Sequence, residues 1–289
     1  MVIPMADPAS LFPPKVTQSL TTKDGRALCF ADWADDGYPV VSFHGTPGCR
    51  LAIRIPPVAT QFGGRLITYD RPGCGRSDRL PGRSVVDCVS DVAAIVDLLG
   101  LDEFAVLGGS GGVPPALAVA VLMPERVSRV ACYAPLASYT ELGPEEWSRG
   151  QTDETTVETI AAALASDDEA VRAYTKVDEK EREGCSADEP ADAYVFEQFR
   201  QGVWGTIDDE RAHLKPWGFD VAAVSAPTKI WFDPKDTCTP PQHAAWLGRT
   251  IPGAELFEGD SMGHGSTGDP TNDRAAMYTW LIHGKAPTA

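Results

Sequence analysis

The sequence predicts an α/β domain in which helices flank a mostly parallel, eight-stranded sheet and one helical segment is inserted. Three observations lead there. Apolar runs of about six residues recur along the chain and suit strands buried on both faces of a sheet. Helical runs separate them, as the crossovers between parallel neighbours require. Residues 138 to 216 break this alternation with a long, acidic, helix-like stretch.

Taken in order, the first 14 residues carry four prolines and read as an arm. KVTQSLTT and RALCFADW then form two strand-like runs joined at Lys23-Asp24-Gly25, and Asp-Gly between such runs signals a hairpin. Buried parallel strands follow at PVVSFH (39–44), RLITYD (65–70), FAVLGG (104–109) and RVACYA (129–134). Between the second and third of these, residues 84 to 100 have the clearest helical pattern, with Ser84 and Asp87 as a capping pair and Gly100 as the stop. A later block repeats the alternation: TKIWF (228–232), a helix near 240–250 opened by Pro240-Pro241, AELFE (254–258) and a helix from about Asp269 to Ile282.

Residues 138 to 216 hold 20 of the 41 acidic residues, from Glu141 through Glu210, which marks them as an inserted unit. The chain therefore divides into a core of residues 1–137 and 217–289 and a helical cap, or lid, of residues 138–216. Trp147, Tyr174, Tyr194, Phe196, Phe199 and Trp204 are the expected anchors of the cap.

Bulk composition removes several classes of function. The net charge of −16 repels the phosphates that a nucleic-acid binder must attract, and no apolar stretch reaches the ~20 residues of a membrane span. The N-terminus has no apolar run long enough for a secretory signal, so a cytoplasmic protein is expected. Cysteines 29, 49, 74, 88, 132, 185 and 238 form no CxxC pair, and their odd number argues for reduced thiols. No HExxH, cysteine pair or acidic cluster at ligand spacing is present, so neither a metal nor a cofactor is expected.

The chemistry concentrates at Gly108-Gly109-Ser110-Gly111-Gly112, which lies between an apolar strand and the helical run PPALAVAVLM. That context matches G-x-S-x-G as a nucleophile elbow, a tight strand-to-helix turn that needs small residues on both sides of the serine. The Gly111 N–H, at the start of the helix, is then aimed at developing negative charge. A dinucleotide-binding G-x-G-x-x-G is excluded because position 114 is proline, and no phosphate-binding G-x-x-x-x-G-K-[ST] occurs. The loop His44-Gly45-Thr46-Pro47-Gly48 leaves another strand, and the Thr46 N–H is the candidate for a second oxyanion donor. His44 reads as a residue that holds this loop. Asp70 and Arg71, in DRPGCGRSD, read as a buried pair.

HGTPG, DRPGCGRSD, GGSGG, an acid near 236 and Gly-His at 263–264, in that order, resemble the α/β-hydrolase fold superfamily over residues 15–285 outside the cap. The resemblance implies that Asp236 takes the acid position and His264 the base position beside the nucleophile Ser110. Asp233 stands where relatives often have glycine and competes with Asp236 for the acid role. A serine in this position implies an acyl-enzyme, hence a carbonyl substrate such as a carboxylester, lactone or thioester. A serine aminopeptidase, a carbon–carbon bond hydrolase and a cofactor-free perhydrolase would use the same three residues. HGTPG is also similar to the HGGPG of proline iminopeptidases, but those typically have tryptophan after the serine, where this chain has Gly111. Outside enzymes, the fold could serve as a ligand-binding receptor. The partner expected is a small-molecule acyl substrate, with Trp147, Trp204 and Trp217 as candidate walls of its pocket. Nothing in the sequence sets the oligomeric state.

Overall fold

The computed structural model describes residues 16–51, 62–186, 192–259, 264 and 271–284; the expected N-terminal arm lies outside them. Eight strands form one sheet: β1 (Val16–Thr21), β2 (Ala27–Asp32), β3 (Tyr38–Phe43), β4 (Gly64–Tyr69), β5 (Phe104–Gly109), β6 (Val127–Tyr133), β7 (Thr228–Phe232) and β8 (Glu255–Glu258). Their order is β1-β2-β4-β3-β5-β6-β7-β8. The β1–β2 hairpin pairs antiparallel, with Thr21 opposite Ala27, and β2 runs antiparallel to β4. All other neighbours are parallel.

The central strands are largely apolar because both faces are covered, whereas the edge strands β1 and β8 are polar and exposed. Val41, Phe43, Ile67, Tyr69, Val106, Val130 and Ile230 point into one core, and Val40, Leu66, Ala105, Leu107, Ala131 and Trp231 into the other. Members of the two sets alternate along each strand, as the period of two demands. Helices α1 (Cys88–Leu98) and α2 (Val113–Leu122) supply the first core with Val92, Ile95, Val96 and Leu117.

Ahead of α1, the Ser84 amide and hydroxyl both bond the Asp87 carboxylate, at 2.7 and 2.8 Å, beside a single 3₁₀ turn at Val85–Asp87. This is the capping pair read from the sequence.

Between β6 and β7 the chain runs through α3 (Tyr139–Leu142), α4 (Pro144–Ser148), α5 (Glu154–Ala165), α6 (Asp167–Arg182), α7 (Ala193–Gln198) and α8 (Trp204–His213). Ala170, Tyr174 and Val177 of α6 meet Phe199, Val203 and Ile207 in a small core of their own. Trp147, Tyr174 and Phe199 are buried, whereas Tyr194, Phe196 and Trp204 are only partly covered. After β7 follow α9 (Gln242–Thr250), which begins directly after Pro240-Pro241, and α10 (Thr271–His283), whose Met277, Tyr278, Trp280 and Leu281 fill the second core. All seven cysteines are free thiols, five of them buried.

One pairing expected from the sequence is corrected: Asp70 and Arg71 do not bond each other. Asp70, fully buried, accepts from the Arg50 amide and guanidinium, both at 2.6 Å, and from the Arg76 amide at 2.9 Å. Arg71 turns the other way, to Asp209 of α8. Adjacent residues at a strand end point in opposite directions, so each found a partner far away in sequence.

The parallel strands also fix where a site can form. From β3 the chain moves outward to β4, and from β5 it moves to the opposite side through β6, β7 and β8. The order therefore reverses between β3 and β5, and a crevice opens beyond their carboxyl ends, where Phe43 leads into His44-Gly45-Thr46 and Gly109 into Ser110. Because Asp70 ties three groups behind this crevice, Asp70→Ala should lower stability by about 1–3 kcal/mol, by leaving the Arg50 and Arg76 amides without their acceptor and the Arg50 guanidinium with Glu197 as its remaining carboxylate. Urea denaturation of the two proteins checks this.

Candidate active site

Ser110 sits at φ 51°, a left-handed conformation that costs a side-chain-bearing residue roughly 1–3 kcal/mol. The neighbouring glycines make it possible. A Cβ on Gly112 would overlap the Phe43 carbonyl, and one on Gly111 would lie 2.5 Å from Thr46 Oγ1. The β5–α2 turn is thus pressed against the loop after β3, and Pro114 and Pro115 follow at the helix start, where missing N–H groups leave no bond unmade.

Ser110 Oγ lies 3.0 Å from His264 Nε2, and His264 Nδ1 lies 3.0 Å from Asp236 Oδ2. With the carboxylate accepting from Nδ1–H, the neutral imidazole presents Nε2 as the acceptor for the serine proton. Asp236 is held from behind: its Oδ1 accepts the Cys238 and Thr239 amides at 2.8 and 3.0 Å, and the Thr239 hydroxyl lies 2.9 Å from Oδ2. Burial raises its pKa, but the hydrogen bond and charge of His264 and the two amides outweigh burial and bring it below the ordinary carboxylate value. Asp233, the competing acid, spends Oδ1 on the Lys235 amide at 2.7 Å, in the turn at the end of β7. His264 therefore meets Asp236. Its neighbours in the GDSMGHG loop lie outside the described residues.

Thr46, Ser110, Gly111 and His264 border a cavity of ≈ 60 Å³, closed by Leu136, Trp147 and Ile160 and by the polar groups of Gln151, Thr156, Glu210, His213, Cys238 and Thr239. Of the three tryptophans expected there, only Trp147 lines it. The Trp204 ring instead lies beneath the Arg79 guanidinium, 4.3 Å from its centroid, on a separate surface groove. Trp217 is buried in the main core, stacked on Phe219 at 5.9 Å, with its Nε1 donating to the His213 carbonyl. Their aromatic bulk packs helices together; it does not reach the serine.

His44 is buried and holds its loop: Nδ1 bonds the Gly45 carbonyl at 2.8 Å and Nε2 accepts the Arg71 amide at 3.3 Å. Burial, with the Arg71 charge, pushes its pKa down to about 3, so it stays neutral.

Two titratable groups of the cavity were not singled out from the sequence, Glu210 and His213, both on α8. Glu210 accepts from the Tyr174 hydroxyl at 3.0 Å, and burial lifts its pKa to about 7. His213 is buried, and burial lowers its pKa to about 4. The sequence carries no signal for this: DDERAH is charged or polar at five of its six positions and reads as a solvent-facing helix.

Residues 38–269 match the family model described as alpha/beta hydrolase fold, and the chain belongs to that family. It is a hydrolase-family enzyme whose relatives carry several activities. Over 256 residues it is 27% identical to a proline iminopeptidase of Neisseria gonorrhoeae, covering 76% of this chain and 81% of the relative. Over 135 residues it is 32% identical to a bifunctional esterase/perhydrolase of Acinetobacter calcoaceticus, covering 44% of this chain and 48% of the relative. Among solved structures, a hydrolase from Pseudomonas aeruginosa superposes with a TM-score of 0.68 at 21% identity, over 92% of this chain and 98% of the other, a likeness of fold. No helix among the described residues is long and apolar enough to cross a membrane.

The Glu210 carboxyl makes a prediction about pH. Unfolded, it ionises near 4.5; folded, it keeps its proton up to about 7. Between those values the folded state binds more protons than the unfolded state, so this group erodes stability as pH rises through that window. Glu210→Gln should therefore gain about 1–3 kcal/mol over the parent protein near pH 8, and little near pH 4. Thermal denaturation at the two pH values measures the difference.

Proposed function

We propose that the protein is a serine hydrolase that cleaves an ester-like acyl bond of a small molecule through an acyl-enzyme. The observation that carries this is the continuous Ser110–His264–Asp236 hydrogen-bond chain, both links 3.0 Å, on a strained turn that faces Thr46 and Gly111. In this reading His264 Nε2 takes the Ser110 proton as Oγ attacks the carbonyl carbon. The negative charge that moves to the carbonyl oxygen meets the Thr46 and Gly111 amides. His264 then returns its proton to the leaving oxygen, and the C–O bond breaks. Water repeats the sequence: His264 takes a proton from it, hydroxide adds to the acyl carbon, and Ser110 Oγ leaves with that proton. Asp236 stabilises the imidazolium at each stage and keeps its orientation, and its lowered pKa ensures that it is ionised at neutral pH.

The cavity of ≈ 60 Å³ admits a short acyl group, and α3–α8 act as a lid over it. A carboxylester, lactone or thioester fits equally, and a Cytoplasmic location and a small-molecule partner go with this reading.

A second reading has one observation behind it. Glu210, in the cavity wall, can accept a hydrogen bond from an ammonium group, which would favour acyl groups bearing a free amine. Proline iminopeptidases among the relatives have names that fit such a substrate. A p-nitrophenyl acetate and an aminoacyl p-nitroanilide, compared on the parent protein and on Glu210→Gln, separate the two. Loss confined to the aminoacyl substrate supports the peptidase.

For the common mechanism, a fluorophosphonate should add once, to Ser110, and Ser110→Ala should remain unlabelled in intact-mass measurements. Ser110→Ala and Asp236→Asn should each lower kcat by about 10⁴-fold. Labelling of Ser110→Ala at the parental stoichiometry would remove the serine from the mechanism.

A further inference from the structure

Behind the oxyanion donors lies a buried ionic cluster that the acyl-transfer scheme does not use. The Arg71 guanidinium donates to both oxygens of Asp209, with Nε at 2.9–3.0 Å and Nη2 at 2.7 Å, and Arg83 Nη2 donates to the same carboxylate. All three side chains are buried. Burial raises the Asp209 pKa, but the charges of Arg71 and Arg83 outweigh it and hold the carboxyl well below its ordinary range. The same Arg71 fork faces forward as well. Nη1 donates to the His44 carbonyl, and Nη2 reaches the Gly45 carbonyl at 2.8 Å and Thr46 Oγ1 at 3.1 Å. One guanidinium thus bridges α8 to three successive residues of the loop that carries Thr46.

His213 lies one helical turn after Asp209, on the same side of α8. Its ring packs directly on Gly111: its Cε1 is 2.9 Å from the point where a Cβ on Gly111 would stand. A single face of an inserted helix therefore touches both halves of the oxyanion hole: Thr46 through Asp209 and Arg71, and Gly111 through His213.

We propose that Asp209 and His213 are positioning residues that fix the spacing of the Thr46 and Gly111 amides, so that α8 is part of the reaction machinery as well as part of the lid. The inference rests on the acyl-transfer reading above. An oxyanion hole works when its donors already stand 2.7–3.1 Å from the place the charged oxygen will occupy, and a glycine-rich loop has no stiffness of its own to keep them there. Arg71 supplies that stiffness by satisfying consecutive loop carbonyls, and Asp209 holds Arg71 by matching its planar fork with two carboxylate oxygens. The neutral His213 ring holds Gly111 by close packing, without adding a charge that would compete for the oxyanion. Because the two amides contribute most to a charge that exists only in the transition state, misplacing them lowers kcat and leaves substrate affinity nearly unchanged.

The test uses His213→Leu and Arg71→Lys; the lysine keeps the charge against Asp209 but loses the fork to His44 and Gly45. For each folded variant, kcat and KM on p-nitrophenyl acetate and the Ki of a trifluoromethyl ketone, which adds to serine as an oxyanion, are compared with the parent. The expected result is a fall in kcat of about 10–100-fold, a matching rise in Ki, and KM within about twofold. His213→Gln, which keeps a flat polar side chain of similar reach against Gly111, should recover most of the loss. If kcat and Ki stay at parental values, or KM alone rises, the inference is overturned. Should His213→Leu not fold, His213→Gln and Arg71→Lys carry the decision: parental kcat and Ki in Arg71→Lys overturn the proposal, and their joint change supports it. Fluorophosphonate labelling of the parent distinguishes the two levels. A labelled parent with unaffected variants sinks only the positioning role, whereas an unlabelled parent sinks the acyl-transfer reading itself.

Discussion

The structure depends on one tight crossing, where the turn from β5 into α2 presses against the loop leaving β3. Ser110 at φ 51° and Gly112 packed on the Phe43 carbonyl are two sides of the same constraint. The backbone cannot relax at Ser110 without moving Gly112 off β3, and β3 is pinned in mid-sheet between β4 and β5. Strain of this kind survives only where the surroundings over-determine it, and here the buried carboxyl ends of two parallel strands do so. The side chain that results stands at the switch point of the sheet, beside the loop that starts at His44.

Around that crossing the polar groups are organised in layers. His264 bonds Ser110, and Asp236 bonds His264 while two loop amides hold the carboxylate. Further back, Asp70 ties Arg50 and the Arg76 amide, and Asp209 ties Arg71 and Arg83. These buried charges are each met by an opposite charge and several hydrogen bonds, which is the condition under which burial is tolerated. They weigh more on geometry than on net stability, because their desolvation offsets much of the attraction. The helices between β6 and β7 share in this layer through Asp209, so a segment that lines the cavity is fastened to the loop on its other side.

Much of this was legible in the chain. The alternation of apolar strands and helical runs gave the sheet and its order of elements, because a strand buried on both faces must be apolar at every position. The Asp24-Gly25 hairpin and the Ser84–Asp87 cap are local chemistry and appear where they were expected. GGSGG was readable because only a glycine-rich strand-to-helix turn admits that backbone. The misreadings share one cause. Asp70 and Arg71 were paired as neighbours, yet their partners are Arg50 and Asp209. Trp204 and Trp217 were assigned to the pocket on aromatic character alone, and they pack against Arg79 and Phe219 instead. Glu210 and His213 went unnoticed because a polar residue in an acidic helix looks solvent-facing until the helix is docked.

By itself, then, the sequence determined the α/β class, the strand boundaries within a residue or two, and the position of the serine turn, since these follow from hydrophobic period and local backbone preference. Tertiary structure alone decided that His264 meets Asp236 and that Asp233 serves its own turn. It also decided that Trp147 is the tryptophan in the cavity and that α8 presents Asp209, Glu210 and His213 inward. Each of those outcomes is a contact between residues far apart in the chain, and such contacts are selected by packing and charge pairing in three dimensions, which leave no periodic trace along the sequence.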